Sequence, residues 1–253
     1  MMTTTAKARL YVEVDLAAGE AVSLAAGQTH YLGNVLRLEP GASVLLFNGR
    51  DGEWIARIDD LGKGEGVLTC VGPTRAQGVA PDLWLVFAPI KRAPLDFLVQ
   101  KAVELGVAAL WPVFTEHTDV KRVNTGRMTT TAIEAAEQSA RLTVPEIMAP
   151  TRLAKALEEW PDGRRLLVCA EAGEATPIDE ALHAAEPDVP YAILTGPEGG
   201  FAPSELDGVR KLPFVSAVNL GPRLLRAETA ALAALGCWQA VLGDWRSRPP
   251  KRD

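Results

Sequence analysis

The sequence predicts an α/β protein in which a parallel sheet is covered by helices on both faces, preceded by a smaller β-rich segment. Three observations carry that reading. The hydrophobic periodicity changes across the polar, Gly- and Pro-containing stretch from Gly72 to Pro81. Beyond it, strand candidates are continuous apolar runs that alternate with helical patterns. Two Gly-rich turns near the C-terminal end each join such a run to a helix.

Taken in order, Arg9 to Val14 is a strand candidate, Gln28 to Arg37 one short helix, and Glu39-Pro40-Gly41 a turn. Ser43 to Phe47, Glu53 to Ile58 and Gly66 to Val71 alternate like barrel strands, the first two joined by Asn48-Gly49-Arg50-Asp51-Gly52, rich in hairpin residues. The pattern predicts a small closed barrel, serving either as an RNA-binding or as a plain structural module. Leu83 to Ala88 then reads as a buried strand, followed by Lys91-Arg92-Ala93-Pro94 and a helix from Leu95 to Leu105, whose Leu95, Leu98, Ala102 and Leu105 fall on one stripe. Gly106 ends that helix, Ala108 to Phe114 is the next strand, and a long helix runs from about Thr125 to Leu142, stopping before Pro145. A helical pattern near Leu153 to Trp160 precedes a strand from Arg164 to Ala170. Tyr191 to Leu194 and Val215 to Leu220 are the strands that lead into the two Gly-rich turns. Pro203-Ser204-Glu205-Leu206 opens the helix after the first turn, and Ala227 to Leu242 forms the one after the second.

Composition narrows the function. No apolar stretch of the 253 residues approaches the roughly 20 that a membrane span needs, and Met1 to Leu10 has no signal-peptide core, so a cytoplasmic protein is expected. Cys70, Cys169 and Cys237 are far apart, odd in number and set in apolar segments, which predicts buried thiols rather than disulfides or a zinc knuckle. His30, His117 and His183 lack ligand spacing, and no metal is implied. The net charge of −6 argues against nucleic acid, yet basic residues gather at Lys91-Arg92, at Lys121-Arg122 with Arg127, at Arg223 with Arg226, and from Arg246 to Arg252.

The two turns are Leu194-Thr195-Gly196-Pro197-Glu198-Gly199-Gly200-Phe201 and Leu220-Gly221-Pro222-Arg223-Leu224-Leu225-Arg226-Ala227-Glu228-Thr229. Glycine lets backbone approach a ligand closely, and in an open α/β sheet the crevice lies beyond the carboxyl ends of the strands. Neither turn carries the Lys-Ser/Thr of a phosphate loop or a GxGxxG fingerprint, so phosphate cradling is the weaker reading. A single Gly-Pro turn is ordinary chain geometry. Two turns that both carry charge predict a ligand site.

These same stretches, Leu194 to Leu206 and Leu220 to Leu232, resemble the two signature loops of the RsmE family of ribosomal RNA uracil-N3 methyltransferases, of the SPOUT class. Further matches are His30-Tyr31-Leu32 with Val35-Leu36-Arg37, Gln100 to Gly106, Glu137-Gln138-Ser139 with Arg141, and Val144-Pro145-Glu146. The resemblance implies a PUA-like RNA-binding β-barrel over residues 1–75 and a SPOUT methyltransferase domain over residues 76–253, with a parallel sheet, a deep trefoil knot and a homodimer. It implies S-adenosyl-L-methionine as cofactor, enclosed by Leu194, Thr195, Gly196, Gly199, Gly200, Leu220, Gly221, Leu224 and Leu225, and 16S ribosomal RNA or the small ribosomal subunit as partner. Arg226 would stabilise the uracil anion and Arg223 would meet RNA phosphate or the base, while Glu198 or Glu228 would either take the proton or hold an arginine, Glu228 being the better placed for orientation. Glu137, Gln138 and Arg141 would reach the cleft or a partner subunit. Lys101 and Glu104 have the spacing of an ordinary intrahelical pair. One departure is His117, where the pattern has arginine. The alternatives are a SPOUT ribose 2'-O-methyltransferase and a non-catalytic RNA-binding assembly factor.

Overall fold

Alternation of apolar and polar residues builds the first part of the chain. The computed structural model describes residues 6–62, 64–170 and 174–247. These divide into two compact units, one of the residues up to Val79 with Ala136–Val144, the other of Ala80–Ala135 with the residues from Pro145 onward. In the first unit, strands β1 (Arg9–Tyr11), β2 (Ala21–Leu24), β3 (Ser43–Phe47), β4 (Glu53–Leu61) and β5 (Gly66–Arg75) form a sheet in the order β1-β3-β4-β5-β2. β1 runs parallel to β3 and the other pairs are antiparallel. Inward residues such as Leu10, Val22, Val44, Leu46, Ile58 and Leu68 share one core. β1 and β2 stand at the ends of that order. The expected helix from Gln28 is different, being α1 (Ala26–His30) followed by a π-helical turn at Tyr31–Val35. The chain leaves that turn through Arg37 at φ 53°.

Glu53 lies buried at the start of β4. Its carboxylate accepts from Arg9 Nε at 2.7 Å and from Thr74 Oγ1 at 3.0 Å, and the Arg9 guanidinium stacks 3.8 Å from the centroid of Phe47.

The second unit alternates strand and helix. Its strands are β6 (Leu83–Phe87), β7 (Ala109–Phe114), β8 (Glu146–Ile147), β9 (Thr151–Arg152), β10 (Arg165–Cys169), β11 (Thr176–Pro177), β12 (Tyr191–Thr195) and β13 (Val215–Asn219). All ladders are parallel, in the order β11-β13-β10-β12-β6-β7-β8, with β9 also pairing with β7. The helices are α2 (Arg92–Glu104), α3 (Thr125–Gln138), α4 (Leu153–Glu158), α5 (Ile178–His183), α6 (Pro203–Arg210) and α7 (Ala227–Val241). One face of the sheet packs Val86, Val113, Val168 and Leu194 against Leu153 and Ala156 of α4 and Leu206 and Val209 of α6. α7 packs on β6 and β12 and against α2 and α5, which covers the other face. Continuous burial of the central strands follows from that double cover.

Two helix expectations are corrected. The buried stripe of α2 is Leu98, Val99, Ala102 and Val103, with Leu95 and Leu105 only half-buried. α3 stops at Gln138 rather than Leu142 because Ala140 takes φ 59°, and the carbonyls of Ala136, Ala140 and Arg141 accept hydrogen bonds from Arg9 and Arg75. Glu137 accepts the Tyr11 N–H at 2.9 Å, which places it against β1 rather than in a cleft. The Lys101–Glu104 pair is present at 2.7 Å.

Candidate functional site

Three adjacent parallel strands, β13, β10 and β12, end side by side, and the chain beyond each is what builds the site. Ala170 N–H donates to the Val218 carbonyl at 2.9 Å, and the Thr195 carbonyl accepts from Ala88 N–H at 3.0 Å, so the strand ends are held in register. A cavity of about 380 Å³ opens there. Its walls are Cys169 and Ala170 at the end of β10, Thr195 to Pro197 with Gly199 to Phe201 from the end of β12 onward, Leu206 on α6, Val218 to Leu225 along β13 and beyond it, and Ala227 and Ala230 on α7.

Each loop is shaped by its own sequence. In the first, Gly200 N–H donates back to the Pro197 carbonyl at 2.9 Å, and Pro203 then starts α6 where its missing N–H costs nothing. Gly196 packs close to Phe201: a Cβ there would stand 3.0 Å from the ring, which would have to give way. In the second, Asn219 ties the turn: its Nδ2 donates to the Ala175 carbonyl at 2.7 Å and its Oδ1 accepts the Gly221 N–H at 3.2 Å. Gly221 has φ 90°, a conformation that side chains resist.

Of the residues expected to hold a cofactor, Thr195, Gly196, Gly199, Gly200, Leu220, Gly221, Leu224 and Leu225 line the cavity, and Arg223 does so as well. Leu194 does not; it is fully buried in β12 and packs in the core behind the site. Glu198 and Arg226 are exposed and outside the wall, each standing between two residues that form it, and Arg226 occupies the cap position of α7. Among the described residues none of Arg223, Arg226, Glu198 and Glu228 has an ion-pair partner, so the expected orienting contact of Glu228 with an arginine is not formed.

Sequence reasoning missed Cys169, Asn219 and Phe201. Burial pushes the Cys169 thiol up to about 12, so the sulfur in the wall is a neutral thiol. Asn219 sits directly before the Leu220-Gly221 signal, and an Asn before a Gly turn is the mark that was available. His117, on the loop after β7, is exposed with Nδ1 3.2 Å from the Gly199 carbonyl, so it braces the first Gly-rich loop from outside.

A larger hollow of about 780 Å³ lies between the end of β7, α4 and α6. Glu205 faces it: Oε1 accepts the Glu116 N–H at 3.3 Å, Oε2 has no partner among the described residues, and burial raises the carboxyl above its usual range. Among the described residues there is no cluster of three metal-ligating side chains, and no helix is long and apolar enough to cross a membrane.

Two family models match the chain, an RNA methyltransferase PUA domain at residues 24–69 and an RNA methyltransferase domain at residues 79–239. The ribosomal RNA small subunit methyltransferase E of Rickettsia conorii is 32% identical over 231 residues, covering 90% of this chain and 93% of the relative. That of Synechocystis is 30% identical, covering 92% and 78%. Among solved structures, the enzyme of the same name from Neisseria gonorrhoeae, bound to S-adenosyl methionine, superposes with a TM-score of 0.84 at 30% identity, covering 94% of this chain and 99% of that one.

Proposed function

The chain belongs to the ribosomal RNA small subunit methyltransferase E family, and from that premise we propose that it transfers the methyl group of S-adenosylmethionine to N3 of a uridine in 16S ribosomal RNA. The observation that carries the reading is the pair of Gly-rich loops closing one cavity beyond three parallel strand ends. Its residues fit the cofactor: the volume suits a nucleoside-sized ligand, and the wall is largely main chain and aliphatic. S-adenosylmethionine supplies an electrophilic methyl carbon on a sulfonium.

The chain's own residues would do the rest. Main-chain N–H and C=O groups of the two loops read the adenosine, and Leu220, Leu224 and Leu225 pack its rings. Burial holds Cys169 as a neutral thiol, so the wall presents no sulfur nucleophile to a bound sulfonium. The uracil, taken out of its stack, would give its N3 proton to the Glu198 carboxylate while N3 takes the methyl carbon and the carbon–sulfur bond breaks, releasing S-adenosylhomocysteine. Arg226, beside the wall, would stabilise the developing uracil anion, and Arg223, on the wall itself, would meet the base or its phosphate.

The remainder of the proposal is a homodimer in the cytoplasm, a trefoil knot in the methyltransferase domain, and RNA held by the PUA-like module, with the boundary at residue 75. Mass spectrometry of 16S ribosomal RNA from a deletion strain tests the chemistry. N3-methyluridine should vanish and return with the wild-type gene; an unchanged level, or loss of a ribose 2'-O-methyl group instead, would sink the reading. Arg226→Ala should bind S-adenosylmethionine normally in calorimetry while single-turnover methylation falls about 100-fold or more.

A further inference from the structure

Two basic runs about thirty residues apart in the sequence, Lys91-Arg92 and Lys121-Arg122, each give one arginine to the same hollow. The start of α2 and the loop before α3 enclose a hollow of about 400 Å³ whose walls include Ile90, Arg92, Asp96, Arg122, Asn124 and Arg127. We propose that this hollow is a phosphate site for the backbone of the RNA substrate, a proposal that rests on the reading of RNA as substrate given above.

Charge accounting leaves the site cationic. Arg127 is occupied, its Nε and Nη2 donating to the two Asp96 oxygens at 2.8 and 2.6 Å. That fork neutralises both groups and holds the Asp96 carboxyl below its usual range. Arg92 and Arg122 are exposed, and among the described residues neither has an ion-pair partner or a side-chain hydrogen bond. Two guanidiniums without an ion-pair partner therefore line one concave surface, Arg92 adding to the field on Asp96, with Lys91 and Lys121 exposed beside them in the sequence. The main chain adds to this field. α2 and α3 both begin at the hollow, and neither has an acidic residue in its first turn. Such residues are favoured at helix starts; without them α3 is capped there by the neutral Asn124, whose Oδ1 accepts the Arg127 N–H at 3.0 Å, and the Asp96 carboxylate at the hollow is taken up by Arg127.

Topology supplies the direction. β12, β6 and β7 are neighbours in one parallel sheet, so the segments following their carboxyl ends emerge along the same edge. The Gly-rich loop follows β12, Arg92 lies just beyond β6, and Arg122 lies beyond β7. β7 is two strands from β12, about 10 Å along that edge. A base brought to the mouth of the cofactor cavity thus has Arg92 and Arg122 along the same edge of the sheet, where a neighbouring phosphate would lie. The loop carrying Arg122 also carries His117, which touches the Gly199 carbonyl and so ties the two regions together.

The test uses the full chain with Arg92→Gln and Arg122→Gln combined, and measures binding to a 16S RNA fragment and to a scrambled RNA from about 0.05 to 0.3 M salt. A phosphate site predicts about tenfold weaker binding near 0.15 M salt, equal for both RNAs, and a slope of log K against log salt shallower by about 1.4, two single-strand phosphate contacts' worth. Arg92→Lys with Arg122→Lys should restore the slope, because charge is retained. Calorimetric affinity for S-adenosylmethionine should not move. An unchanged slope, or a loss confined to the cognate RNA, would overturn the site. Since the slope is read without turnover, its failure is distinguishable from failure of methyl transfer, which wild-type protein alone decides.

Discussion

Replacing Gly196 with alanine isolates one contact in the wall of the cavity. An ideal Cβ at this position stands 3.0, 3.2 and 3.3 Å from Cε2, Cδ2 and Cζ of Phe201, against the 3.5–4.0 Å at which carbon atoms normally rest. Gly196 is not among the glycines with positive φ, so the alanine backbone is unstrained and the cost is steric. The Phe201 ring, which lines the same cavity, must retreat by several tenths of an ångström. Overpacking of this kind costs about 1–3 kcal/mol. Borne by the cofactor complex, that is about 5- to 150-fold in affinity. Titration calorimetry with S-adenosylmethionine reads the loss directly, and adding Phe201→Leu should recover most of it by removing the clashing ring. Binding by Gly196→Ala within about twofold of wild type would refute the reasoning, as would a double variant no better than the single one.

His117→Ala should weaken S-adenosylmethionine binding by about 2- to 5-fold, the worth of one exposed 3.2 Å hydrogen bond of about 0.5–1 kcal/mol, and His117→Asn should restore it by placing an amide near the Nδ1 position. Equal affinity of all three proteins would show that the brace has no function. Glu53→Ala leaves the Arg9 guanidinium buried without its carboxylate, and thermal unfolding should report a loss of about 3–5 kcal/mol; a change under about 1 kcal/mol would mean that the carbonyls of Ala136 and Arg141 suffice. Glu205 gives a pH signature. Burial raises its folded pKa, so its contribution to stability is full below the ordinary carboxyl value and is lost as pH rises through the raised one. Glu205→Gln should therefore melt higher than wild type above that window and alike below it, and parallel melting curves across the whole range would refute this.

The loops were legible because their signals are local. An uninterrupted apolar run such as Tyr191 to Thr195, ending in Gly-Pro, states strand, stop and turn within ten residues. What the sequence concealed is set at a distance. Cys169 joins the wall only because β10 lies between β12 and β13, an order that no local pattern encodes. The end of α3 depends on Arg9, 127 residues away from the carbonyl it caps. β2 spans four residues and β8, β9 and β11 two each, too short for any period to register. The stripe of α2 was misassigned at its ends because both faces of that helix carry leucine or valine, and packing against α7 decides which are covered.

The main-chain character of the cavity wall has a pharmacological consequence. Inhibitor resistance usually arises by exchanging a side chain that the drug touches. A compound anchored on the peptide groups of residues 195–200 and 219–221 offers few such exchanges, since a methyl group at Gly196 or a side chain at Gly221 damages the wall before it repels the compound. Affinity drawn from Arg223 or the 86% exposed Leu224 would lack that protection, because those side chains can change at little cost to folding.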